Sequence, residues 1–68
     1  MANENNIGEN IKKRRTKLRL SQEDFAQKSG VKYTTLIKIE SGVIKTPSVL
    51  MVEKIAKALG VSIEELLK

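Results

Sequence analysis

The sequence predicts a compact, all-α fold of five short helices. Three observations support this. Apolar residues recur at helical spacing in successive stretches, Ser caps and Gly stops bracket those stretches, and no run alternates with period two beyond a few residues. No Asn-Gly or Asp-Gly hairpin signal is present either. At 68 residues the chain holds one small domain, against the roughly 150 of a typical one. Residues 1–6 read as a polar tail and 7–68 as the folded unit, and 40% apolar residues lift the composition well above that of a disordered chain.

The first helix is expected from Ile7 to about Arg19. Asn6 followed by Glu9 is a capping-box pattern, and Ile7, Ile11 and Leu18 follow the helical period with the aliphatic stems of Arg14 and Arg15. Gly8 weakens its first turn by about 1 kcal/mol relative to Ala. Ser21 caps a second helix from Gln22 to about Ser29, with Asp24 at the third helical position. It buries Phe25 and Ala26 and stops at Gly30. A third begins near Tyr33, sets Leu36 and Ile39 beside Val31, and stops at Gly42. Its cap position holds Lys32 in place of a Ser or Thr oxygen, which leaves it under-capped by about 1 kcal/mol. Pro47 then leads into Ser48, the cap of a fourth helix with Val49, Val52, Ile55, Ala56 and Leu59 on its buried side and Gly60 at its end. Ser62 with Glu65 is a second capping box, and it opens a fifth helix presenting Ile63, Leu66 and Leu67.

Composition narrows the function before any motif is considered. With no Cys and no His, the chain lacks thiolate and imidazole nucleophiles, the usual zinc ligands and the usual general base near neutral pH. No Gly-rich phosphate loop precedes a helix. No enzyme activity, metal or cofactor is expected. The longest apolar run, Val49 to Val52, is far short of the roughly 20 residues that a membrane span needs, and Met1 to Asn6 is unlike a signal peptide. A cytoplasmic protein with no membrane partner is the expectation.

Charge is concentrated near one end. The net charge is +5, and Lys12, Lys13, Arg14, Arg15, Lys17 and Arg19 supply six of the 13 bases within a stretch that contains no acid. Such a block is either a solvated helix face or a docking face for phosphates.

Two short helices joined by a tight Gly-containing turn, locked by Phe25, Val31, Leu36 and Ile39, describe a helix-turn-helix over about residues 22–40. Ala26 is small where the two helices cross, and Gly30 suits a left-handed turn position. The stretch Leu-Ser-Gln-Glu-Asp-Phe-Ala-Gln-Lys-Ser-Gly-Val from Leu20 to Val31 is followed by Leu36, Ile39-Glu40-Ser41-Gly42, Pro47-Ser48 and Ala56-Lys57-Ala58-Leu59-Gly60-Val61. In that order and spacing these pieces resemble the lambda-repressor-like (Cro/cI, Xre-type) DNA-binding domain, and the match covers about Ile7 to Leu67.

The resemblance implies a compact lambda-repressor-like five-helix fold and assigns roles residue by residue. It places Lys32, Tyr33, Thr34 and Lys38 against base edges in the major groove. It gives backbone contacts to Gln22, whose amide reaches a phosphate, and to Lys13, Arg14, Lys45 and Thr46. Arg15 and Glu40 match a structural ion pair joining the first helix to the end of the third. Physical chemistry points the same way at the recognition residues: Lys donates to guanine, Thr and Tyr contact a base edge or a thymine methyl, and a helix N-terminus favours phosphate.

The implied function is a sequence-specific regulator of transcription on double-stranded DNA, a Cro-like or controller-type repressor that occupies an operator. One small domain reads one half-site, so a homodimer on a palindromic operator is expected. Val61, Ile63, Leu66 and Leu67 are the expected dimer interface, at the end far from the basic block, with Leu50 and Met51 the rival surface. With nothing after Lys68, no small-molecule ligand is expected unless the chain is a piece of a longer regulator. Lys32 at the cap and the apolar Ile37, Val43, Ile44, Leu50 and Met51 depart from the family pattern. Those apolar positions leave open an antitoxin-like or adaptor module on the same fold, and Ile37 could instead meet a thymine methyl.

Overall fold

The computed structural model describes residues 7–67. Asn6, and with it the expected capping box to Glu9, lies outside the described residues, as do the rest of the 1–6 stretch and Lys68. Within them the chain forms α1 (Ile7–Lys17), α2 (Gln22–Ser29), α3 (Tyr33–Ser41), α4 (Val49–Leu59) and α5 (Ile63–Leu67), with no strand.

The helix starts follow local chemistry. Ser21 Oγ accepts from the N–H of Asp24 at 3.0 Å, and Ser48 Oγ from that of Met51 at 3.2 Å. At α5 the capping box is reciprocal: Ser62 Oγ accepts from Glu65 N–H, and Glu65 Oε1 accepts from Ser62 N–H, both at 3.1 Å. Lys32 is the N-cap of α3 and its side chain makes no capping bond. Three glycines, Gly30, Gly42 and Gly60, close α2, α3 and α4 in the left-handed region.

The core gathers one apolar stripe from each helix. Ile7 and Ile11 of α1, Phe25 and Ala26 of α2, Leu36 and Ile39 of α3, Val52, Ile55 and Ala56 of α4 and Leu66 of α5 meet there, with Val31 of the α2–α3 turn. α1 lies against α3, α4 and α5, and α2 packs on α3 and α4. Asn10 Nδ2 donates to Leu66 O at 2.7 Å and holds α5 to α1.

Several expectations are corrected. α1 ends at Lys17, two residues before Arg19, because the chain tightens: Leu18 N–H donates to both Arg14 O and Arg15 O, and Arg19 N–H to Thr16 O at 2.9 Å. Leu18 is consequently turned out, 45% exposed, and does not join the buried face, whereas Arg15 does. Val49, the first residue of α4, is 75% exposed and does not join the buried side with Val52. Leu66 is wholly buried, so it fills the core and is closed to a dimer contact; Leu67 is the outward residue. Ile44 and Met51 pack partly buried against the core and are not free surface, which leaves Val43 and Leu50 exposed among the unusual apolar positions. Gly8 is more than a weak helix former. A Cβ there would collide with the carbonyl oxygen of Ile39 and lie 3.1 Å from that of Glu40, so α1 passes α3 backbone to backbone.

Candidate nucleic-acid interface

The helix-turn-helix consists of α2, the turn Gly30-Val31-Lys32, and α3. Ser29 Oγ donates to Ala26 O and accepts from Val31 N–H, both at 3.3 Å, so the turn is bonded from inside, where Ser29 and Val31 are buried. This fixes the direction in which α3 leaves.

α3 buries Leu36 and Ile39. With a step of about 100° per residue, Thr34, Ile37 and Lys38 fall on the opposite sector and Tyr33 on its flank. Thr34 and Lys38 are exposed, Tyr33 is 42% exposed and Ile37 is half-buried. Lys32 is exposed at the mouth of the helix, where the unsatisfied N–H groups of the first turn point outward. The four expected base-reading residues thus run along the outward side of α3 from its N-cap to its last turn, with Ile37 among them. A row of two cationic donors, a phenol, a hydroxyl and an apolar side chain can hydrogen-bond purine edges and touch a methyl group.

Behind α3 sits a buried polar cluster. Arg15 donates through Nε to Glu40 Oε2 at 2.7 Å and through Nη2 to Oε1 at 3.1 Å, while its Nη1 reaches Leu20 O at 2.7 Å. The side chains of the pair are only 9% and 3% exposed, so this is a two-pronged ion pair shielded from water. Gln22 Nε2 donates to Glu40 Oε1 at 3.0 Å. The family resemblance implies a phosphate contact for Gln22 and gives no hint of this second partner, eighteen residues along the chain. The amide nitrogen carries two hydrogens, so one donor remains after Glu40 is satisfied. Among the described residues no buried side-chain nitrogen or oxygen is left without a partner.

The other expected backbone-contact residues are on α1 and on the α3–α4 loop. Lys13 is exposed and Arg14 half-buried along a shallow concavity with Asn10, Thr16 and Lys17. Thr16 Oγ1 lies 3.0 Å from Lys12 O and 2.9 Å from Lys13 O, so its one hydrogen is satisfied within α1. Lys45 and Thr46 are exposed on the α3–α4 loop, in a small cleft shared with Ile7, Pro47, Val52 and Leu67. Leu67 therefore borders one of the expected phosphate-contact loops. Val61 and Ile63 are half-buried against the core, so of the four expected interface residues only Leu67 is fully outward. Among the described residues no three His, Cys, Asp or Glu gather where they could hold a metal ion, and no helix is long and apolar enough to cross a membrane.

Comparison with known proteins gives consistent matches. The helix-turn-helix family model matches residues 11–66. An uncharacterised HTH-type transcriptional regulator of Methanocaldococcus jannaschii is 49% identical over 47 residues, 69% of this chain and 70% of that protein. The crystal structure of SinR, the master regulator for biofilm formation, in complex with DNA superposes with a TM-score of 0.88 at 35% identity, covering 91% of this chain and 98% of that one. The restriction-modification controller protein C.AhdI of Aeromonas hydrophila superposes with a TM-score of 0.84 at 31% identity, covering 91% and 92%.

Proposed function

The chain belongs to the Xre/cI-like helix-turn-helix family, and from that premise we propose that it is a sequence-specific DNA-binding regulator of transcription, a Cro-like or controller-type repressor that acts by occupying an operator. The observation that carries the reading is the outward side of α3, where Lys32, Tyr33, Thr34 and Lys38 stand exposed on a helix whose other side is anchored in the core. In this reading α3 enters the major groove and those four side chains contact bases. Gln22 uses its remaining N–H on a phosphate, and Lys13, Arg14, Lys45 and Thr46 hold the backbone on either side. The Arg15–Glu40 pair touches no DNA; it fixes α1, the end of α3 and Gln22 in one frame. The SinR structure was solved in complex with DNA, which supports a duplex as the partner.

The operating unit in this reading is a homodimer on a palindromic operator in the cytoplasm. The folded chain measures 32 × 22 × 22 Å, whereas the centres of two half-sites lie about 34 Å apart, so two copies are needed to span both. Leu67, with the half-buried Val61 and Ile63 beside it, is the surface assigned to the contact, and Leu66 supports it from within the core.

Selection from a random pool of duplexes, followed by affinity measurement, tests the reading. Lys32→Ala, Thr34→Ala and Lys38→Ala should each cost about 1 to 3 kcal/mol on the selected sequence and leave random DNA nearly unchanged. Lys13→Ala, Arg14→Ala and Lys45→Ala should weaken both alike and flatten the salt dependence by about one unit. If no sequence is enriched and a stoichiometric protein partner co-purifies instead, the adaptor function on the same fold takes its place.

A further inference from the structure

α1 and α4 end through the same pair of backbone bonds. At the end of α4, Gly60 N–H donates to Lys57 O at 3.1 Å and Val61 N–H to Ala56 O at 3.0 Å, the arrangement that closes a helix through one left-handed residue. At the end of α1, Arg19 N–H donates to Thr16 O at 2.9 Å and Leu20 N–H to Arg15 O at 3.3 Å, so Arg19 holds the place that Gly60 holds. The dihedrals agree, with φ of 75° at Gly60 and 61° at Arg19. Gly30 and Gly42 close α2 and α3 at φ of 79° and 90°. Among the described residues, every other left-handed position carries glycine, and this one carries arginine.

A Cβ is disfavoured in that region, and arginine has no short polar side chain with which to bond its own backbone as Asn or Asp would. Among the described residues, no contact of its side chain offsets the strain. The Arg19 side chain is exposed, and among the described residues no hydrogen bond or ion pair holds its guanidinium. The turn beneath it, by contrast, is firmly placed. Arg15 Nη1 donates to Leu20 O at 2.7 Å while its other nitrogens grip Glu40, and Gln22 donates to the same carboxylate. A free guanidinium is thus mounted on a rigid corner, tied to the frame that positions Gln22 and the end of α3.

We propose that Arg19 is a further DNA-backbone anchor: its guanidinium takes a phosphodiester group beside the one contacted by Gln22, and the left-handed backbone sets its direction. The proposal rests on the DNA-binding reading above. A planar guanidinium matches the paired oxygens of a phosphate, and contact with that anion supplies the favourable interaction that the free fold lacks.

The test compares Arg19→Gly and Arg19→Lys with the unaltered protein, reading thermal stability and the salt dependence of affinity for a selected operator and for random duplex. Lys13→Ala is carried in the same assay. Glycine relieves the strain, so Arg19→Gly should raise the melting temperature by about 4 °C. It should also weaken binding to both DNAs several-fold, with the log–log salt slope shallower by about 0.9. Arg19→Lys keeps the charge and the strained backbone, so its melting temperature and slope should stay near those of the unaltered protein. A more stable Arg19→Gly with unchanged affinity and slope overturns the proposal, while a shallower slope for Lys13→Ala in that assay leaves the DNA-binding reading standing. A lower melting temperature for Arg19→Gly also overturns it, because the side chain would then serve the fold. If the unaltered protein binds neither DNA, both readings fall.

Discussion

Gly8 illustrates how a residue without a side chain can set a helix–helix distance. From helix propensity alone, Gly8→Ala should stabilise α1 by about 1 kcal/mol. Because the added methyl would meet the backbone carbonyls of Ile39 and Glu40, which cannot swing aside, the expected result is the opposite sign: a loss of about 1 to 3 kcal/mol on thermal melting. A neutral or raised melting temperature would mean that α1 and α3 approach less closely. Arg15 and Glu40 present the complementary case, two charges that tolerate burial because each satisfies the other. Removing one strands its partner in a poorly solvated site, so each single alanine should destabilise more than loss of an exposed pair would. A double-mutant cycle on folding should show coupling above about 1 kcal/mol. Near-zero coupling, with DNA affinity falling only for Arg15→Ala, would make Arg15 a phosphate ligand.

Among α2 to α5, α3 stands apart in how it begins. α2, α4 and α5 start on a Ser oxygen that accepts from the backbone, whereas α3 starts on Lys32, which makes no such bond. Lys32→Ser should add about 0.5 to 2 kcal/mol of stability, read as a higher denaturant midpoint. It should also change the preferred operator, because the replaced side chain is one of the four assigned to bases. A lower midpoint would mean that Lys32 makes a folded-state contact beyond the cap. α5 depends on its neighbours for a different reason: five residues cannot sustain a helix alone. Its capping box, the buried Leu66 and the bond from Asn10 to Leu66 O keep it in place.

For the whole molecule, the proposed dimer contact depends on the arrangement of α5. Leu67 is 51% exposed next to a fully buried Leu66, so adjacent residues should respond differently to a charge. Leu67→Glu should leave the monomer folded and abolish cooperative binding to a palindromic site. Leu66→Glu should unfold the chain, since it places a carboxylate in the core. If sedimentation shows dimerisation intact in Leu67→Glu and lost on placing a charge at Leu50, the contact lies on α4. Under the proposed function, the lysines of α1 and of the α3–α4 loop should bear on affinity for any duplex, while α3 should bear on sequence.

The all-α class, the helix-turn-helix and most helix starts were determined by sequence alone, because caps, glycine stops and apolar period are local and act within a few residues. α2 begins and ends as the cap at Ser21 and the stop at Gly30 dictate, and the outward residues of α3 follow from where Leu36 and Ile39 must be buried. Only the tertiary structure decided matters that depend on what lies across a gap. It put Leu18 and Val49 outside the core, drew Leu66 in and left Leu67 out, and gave Gln22 a partner in Glu40. It also turned Gly8 from a weak helix former into a point of close approach and set Arg19 in a left-handed turn. For Leu18, Val49, Leu66, Leu67 and Gln22 the periodicity allowed more than one facing, and burial went to whichever side chain found a neighbouring helix to cover it or a buried charge to satisfy.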